Sequence, residues 1–133
     1  MEYKYEVFSI IFTKEKYIEN LKVILNILTK NNINEIDLLF GCGWGNEYKD
    51  WTPYNVLTEE VESEINLAEK KQVGKFGDDD LYIIIDELQT VIMFCHEMDI
   101  HMEFNSENKI IKEIINYWEL ENYIKIRKNK NRC

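Results

Sequence analysis

The stretch Cys95-His96-Glu97-Met98-Asp99-Ile100-His101 packs a thiol, two imidazoles and two carboxylates into seven residues, and it holds both histidines of the chain. These are the side chains that ligate metals, exchange protons and act as nucleophiles. The stretch misses HExxH by one position. That motif works because two histidines four apart share one helix face and bind zinc. Here the histidines are five apart, and the flanking runs Val91–Phe94 and Ile100–Phe104 read as strands, so the segment is a hairpin with Glu97 and Asp99 in its turn. Such a hairpin can bring His96 and His101 near each other. One functional reading is therefore a small metal-dependent or hydrolytic enzyme built on Cys95, His96, Glu97 and His101. The competing reading makes Cys95 a small buried hydrophobe, His96 a strand-end residue and the two acids turn formers. Adjacent strand residues point to opposite faces, so His96 is badly placed to serve as a base for Cys95.

A second unusual segment is Gly41-Cys42-Gly43-Trp44-Gly45, which continues through Asn46-Glu47-Tyr48-Lys49-Asp50-Trp51-Thr52-Pro53-Tyr54. It holds three of the five glycines, the single proline and two of the three tryptophans. Following a short apolar run, it invites a phosphate-loop reading. The GxGxxG spacing and the Gly-Lys-Ser/Thr ending are both missing, however, and acids follow where lysines would hold phosphate. The segment reads better as a contact loop. Trp44, Tyr48, Trp51 and Tyr54 supply large rings of few rotamers, the side chains that dominate binding hot spots, with Glu47 and Asp50 between them. The alternative is that the rings fold inward over a core edge.

Asp78-Asp79-Asp80 could bind a divalent cation with Asp86, but it lacks the alternating acids and closing glutamate of a calcium loop and reads as a solvated turn. Together with Glu59, Glu60, Glu62 and Glu64 it forms an acidic patch if the helix carrying the glutamates shares a face with the turn. Three widely spaced cysteines (Cys42, Cys95, Cys133) are neither a disulfide framework nor a CxxC zinc site. No cofactor and no metal are assigned.

Charge narrows the partners. The formal net charge is −9, from 16 bases and 25 acids. Five of the 16 bases (Lys125, Arg127, Lys128, Lys130, Arg132) lie in residues 125–133 with no acid, so the body before them carries 11 bases against all 25 acids, a net −14. Such a surface repels phosphates, which excludes nucleic acid as a partner of the body, and it attracts basic proteins. The tail is short, lacks interleaved aromatics and reads as a frayed end. No apolar run approaches the roughly 20 residues of a membrane span, and the N-terminus lacks a signal-peptide pattern, so a cytoplasmic location without membrane contact is expected.

The elements that position these residues follow from periodicity. Residues 2–12 alternate and read as a strand. Thr13 caps a helix with Tyr17, Ile18, Leu21, Ile24, Leu25 and Leu28 on one stripe, stopped at Asn31-Asn32. Ile36–Phe40 is a short strand. Thr58 caps a second helix with a thin stripe of Val61, Ile65 and Ala68. Three apolar runs, Leu81–Ile85, Val91–Phe94 and Ile100–Phe104, are joined by short turns and form an antiparallel meander. The first two are apolar on both faces, as central strands are. Asn105 or Ser106 caps a last helix with Ile110, Ile111, Ile114, Ile115 and Trp118 on one side. The expected fold is one α+β domain over 1–133, two-layered, with an antiparallel sheet that includes the meander of about 81–104 and three helices packed on it.

The size, the acidity, the loop aromatics and the run Leu81-Tyr82-Ile83-Ile84-Ile85 followed by Val91-Ile92-Met93-Phe94-Cys95-His96-Glu97-Met98-Asp99-Ile100-His101-Met102-Glu103-Phe104 resemble bacterial immunity proteins. These protect a cell from toxin domains used in contact-dependent competition. The abundance of isoleucine, lysine and asparagine is in keeping with an AT-rich bacterial gene. The resemblance covers the whole chain in character and residues 77–104 in pattern. It implies a stoichiometric inhibitor, not an enzyme, that binds a cognate toxin domain, a basic nuclease by expectation. The contact residues expected from the sequence itself are Trp44, Glu47, Tyr48, Asp50, Trp51, Tyr54, Glu59, Glu62, Asp78, Asp79 and Asp80.

Overall fold

The computed structural model describes residues 3–129. Seven strands form one antiparallel sheet: β1 (Tyr5–Ser9), β2 (Glu35–Phe40), β3 (Tyr54–Leu57), β4 (Leu81–Ile85), β5 (Thr90–Phe94), β6 (Ile100–Phe104) and β7 (Ile124–Asn129). Their order across the sheet is β3-β2-β4-β5-β6-β1-β7. Three helices, α1 (Lys14–Lys30), α2 (Val61–Lys71) and α3 (Lys109–Leu120), complete the α+β domain. None of the helices among the described residues is long and apolar enough to cross a membrane.

Periodicity explains why these segments take these forms. In α1 the residues Tyr17, Leu21, Ile24, Leu25 and Leu28 share one stripe and are buried. The Thr13 side chain accepts a hydrogen bond from the Lys16 N–H, which satisfies one of the unpaired donors of the first turn. At the far end Asn31 closes the last turn and Asn32 takes a left-handed φ of 65°. In β4, β5 and β6 residues alternate strictly between buried and half-buried. The buried set, including Leu81, Ile83, Ile92, Phe94, Ile100 and Met102, joins the apolar stripes of all three helices in a single core. All three helices therefore cover one face of the sheet and leave the other open. One buried polar link crosses the helical layer: the Trp118 indole donates to the Asn20 side-chain oxygen at 2.9 Å, and the Asn20 amide donates back to the Lys16 carbonyl.

Several boundaries differ from the sequence expectation. The first strand ends at Ser9, because Ile10 donates to the Tyr123 carbonyl and Phe12 to the Met98 carbonyl, which draws the chain out of the sheet. Thr58 does not cap α2. It is buried, its hydroxyl donates to the Ile33 carbonyl, and it opens a short 3-10 turn before Val61. The cap of α3 is Asn108, whose side chain accepts from the Ile111 N–H, rather than Asn105 or Ser106. The basic segment read as a frayed end is an edge strand as far as Asn129, paired with β1, with Lys128 bonded to the nearly buried Glu6. Residues 130–133, with Lys130, Arg132 and Cys133, lie outside the described residues, as do Met1 and Glu2.

Candidate functional site

The open face of the sheet is built from two cross-strand rows. Register places Asp37, Ile84, Val91, Glu103, Glu6 and Lys128 side by side in one. The next contains Leu39, Tyr82, Met93, His101, Phe8 and Ile126. Side chains in such rows stand close enough to interact directly. The part of this face on β4 and β5 is apolar, with Tyr82, Ile84, Val91 and Met93, and it is flanked by Asp37 on β2 and by Glu103 and Glu6 on β6 and β1. In the first row the Lys128 ammonium lies 3.0 Å from Glu6. Where β2 and β4 reach the end of the sheet near Glu35 and Ile85, a groove of about 580 Å³ opens. Glu35, Asp37, Asp86 and Glu87 line it together with Asn55 and Leu57, and no lysine or arginine does.

The opposite end of the sheet carries most of the residues singled out in the sequence. The Asp80 carbonyl accepts bonds from the Gly41 N–H and from the Trp44 indole, and the Asp80 carboxylate accepts from the His96 N–H at 2.8 Å. The Asp78–Asp80 turn thus ties the glycine loop to the histidine hairpin. Trp44 is fully buried, with its ring edge-on to Phe40, so it is a core residue and not a contact ring. Gly43 and Gly74 are needed for close approach around it. A Cβ at Gly43 would stand 2.2 Å from the Asp79 carboxylate, and one at Gly74 2.7 Å from Trp44. These glycines serve packing and do not form a phosphate cradle.

Tyr48 and Tyr54 are half-buried against Phe40, and the Tyr54 hydroxyl donates to Glu64 at 2.7 Å. Burial first, and the Glu64 bond second, hold the Tyr54 hydroxyl far above the ordinary phenol range. Trp51 is the ring that faces solvent, at 45% exposure, with exposed Glu47 and Asp50 nearby in the chain. The backbone there is left-handed at Asn46, Glu47, Lys49, Asp50 and Trp51. Such conformations are costly for residues other than glycine and cluster at functional segments. The Asp79 carboxylate accepts from the Lys75 N–H, so it braces the turn. Asp78 and Glu59 are exposed, and Glu62 pairs with Lys22 of α1 at 3.1 Å. Because α2 lies on the covered side, its glutamates are separated from the open face by the sheet.

The hairpin gives its two histidines different partners. The His96 ring lies on Asp80 at 3.0 Å, and this hydrogen bond, with the attraction of the same carboxylate, raises its pKa above the ordinary value. His101 instead meets Asp99, Nε2 to Oδ2 at 2.8 Å, with the Phe8 ring stacked on it at 3.9 Å. Cys95 completes a different trio: one ligand atom each from Cys95, Asp99 and His101 lie within 4.8 Å of one another. The thiol is pushed up to about 12, by burial first and then by Asp99, Asp80 and Glu97, with a backbone bond from His101 opposing them. A thiol held neutral in this way is a poor nucleophile at neutral pH.

Glu35, Asp37, Glu87 and the outward apolar row are not among the contact residues expected from the sequence, and Asp86 enters there only as a possible cation ligand beside Asp78–Asp80. Their signal was present in the two strands that are apolar on both faces, one face of which no helix covers. Comparison with protein-family models, with curated proteins and with solved structures finds no match to this chain.

Proposed function

We propose that the chain is a stoichiometric inhibitor of the immunity type, which binds a basic toxin domain through the open sheet face and blocks it. The observation that carries this reading is the pairing of an uncovered apolar row with an acidic groove on one face. The row offers the dry centre of an interface, and Glu35, Asp37, Asp86 and Glu87 offer acceptors for lysine or arginine. An apolar patch bordered by charge is the usual mark of a protein contact site. The strongly acidic body adds steering toward a basic partner. Trp51, on its left-handed loop at the other end, is a second contact in this reading.

A nuclease toxin is the partner that fits best, since a surface evolved to hold phosphates is basic and is mimicked by carboxylates. The test is co-purification with the protein encoded immediately upstream, together with protection of cells that express both. A 1:1 complex whose association slows as salt rises is the expected result. Absence of a complex combined with absence of protection would reject the proposal. So would a complex that forms equally well after Asp37→Lys and Asp86→Lys are introduced together.

A further inference from the structure

We infer that Cys95, Asp99 and His101 form a three-ligand site for a zinc ion, at the turn end of the β5–β6 hairpin on the open face. Strand geometry makes the site. Cys95 and Asp99 face each other across the turn, with the Cys95 N–H bonded to the Asp99 carbonyl at 2.9 Å. His101 follows Asp99 by two residues, so both side chains leave the strand on the same side. The sulfur, nitrogen and oxygen donors already lie within 4.8 Å of one another. Zinc bonds of about 2.0–2.3 Å put tetrahedral ligand atoms roughly 3.3–3.6 Å apart. The Asp99–His101 pair must therefore open slightly from 2.8 Å, and Cys95 must close by up to about 1.5 Å.

The donor set selects the metal class. A thiolate with an imidazole and one carboxylate suits zinc and does not suit calcium or magnesium, which take oxygen ligands. Charge balance points the same way. One thiolate and one carboxylate neutralise a dication, and binding releases one proton, from the Cys95 thiol. Without an ion the thiol sits buried beside Asp99, with Asp80 and Glu97 also acting on it, a negative surrounding that a cation relieves. The supports are rigid. Phe8 is stacked on the imidazole, and the buried Tyr17 hydroxyl donates to the Cys95 carbonyl at 3.0 Å. His101 and Asp99 keep 23% and 18% of their side-chain surface, which leaves the site open on one side to solvent and to a fourth ligand.

The experiment uses the full chain without a histidine tag, stripped with chelator and titrated with Zn²⁺ and separately with Co²⁺. The expected results are one ion per chain and, with cobalt, a thiolate-to-metal charge-transfer band with tetrahedral d–d bands. Cys95→Ser should abolish the charge-transfer band and weaken zinc binding by more than about 100-fold, beyond the cost of losing an outer-shell partner. Asp99→Asn lies nearer the surface and should keep the band while weakening binding about 10- to 100-fold. Cys42→Ser and His96→Asn should change neither. Cobalt binding without a thiolate band in the unmodified chain would overturn the site whether or not the variants fold. Zinc affinity unchanged by Cys95→Ser and Asp99→Asn, or lost in His96→Asn, would do the same. The inhibitor proposal does not depend on the outcome.

Discussion

Ile83 and Ile84 are identical side chains on neighbouring residues of β4, yet Ile83 is sealed under the helices and Ile84 stands half-buried on the open face. The same division runs across β5, where Ile92 and Phe94 are fully buried and Val91 and Met93 are not. The two faces of the sheet have similar composition at their centre and different neighbours. On the covered side apolar area meets the stripes of three helices and stabilises the fold. On the open side the half-buried apolar residues meet their cross-strand neighbours but no helix, and acids flank them. Hydrophobicity alone thus does not separate residues that hold the fold from residues available to a partner. Cover does.

Substitutions that separate the faces test this contrast. The largest expected effect is Trp44→Ala, which empties a fully buried site beside Phe40 and should cost about 3–5 kcal/mol in urea unfolding. A loss near zero would return Trp44 to the surface role its loop suggests. Ile83→Ala should cost about 2–5 kcal/mol, whereas Ile84→Ala should cost less than about 1 kcal/mol, closer to a surface change. Equal losses at the two positions would erase the distinction between the faces. In binding the order should invert: Ile84→Ala, at the centre of the open face, should weaken the complex with the basic partner by about 2 kcal/mol while the fold persists, as read by calorimetric titration. Charge reversal at the groove, Asp37→Lys with Asp86→Lys, should slow association by about tenfold at low salt and less at high salt, as followed by stopped flow.

The smallest effect separates the two histidines. His96 should titrate above the ordinary value near 6.5, because its charged form gains the Asp80 hydrogen bond. A raised folded-state pKa means that this contact stabilises the fold fully below the unfolded value, and that the contribution is lost as pH rises through the folded one. Asp80→Asn should bring the midpoint back down in an NMR titration of the ring protons. An unmoved midpoint would detach His96 from Asp80.

Much of this was legible in the chain. The alternation in residues 81–104 foretold the meander, and the stripe Tyr17 to Leu28 foretold α1, because period 2 and period 3.6 are local properties. The end caps were less legible. Thr58 looks like a cap residue, but its hydroxyl finds the Ile33 carbonyl across the fold. The basic segment after Ile124 looks like a solvated tail, but its backbone finds β1, and Lys128 finds Glu6. Among the site residues, Tyr48, Tyr54 and Trp44 were recognisable as special, yet their inward direction was not, since an aromatic ring suits an interface and a core equally well.

The sequence by itself determined the elements, their approximate order and the excess of acid in the body, because these depend on residues close together in the chain. The tertiary structure decided which sheet face the helices cover. It decided that β1 lies between β6 and β7, which puts Phe8 against His101 and Glu6 beside Glu103. It also paired His96 with Asp80 and joined Cys95, Asp99 and His101. These outcomes come from register and long-range strand pairing, where a shift of one residue would send every side chain of a strand to the other face.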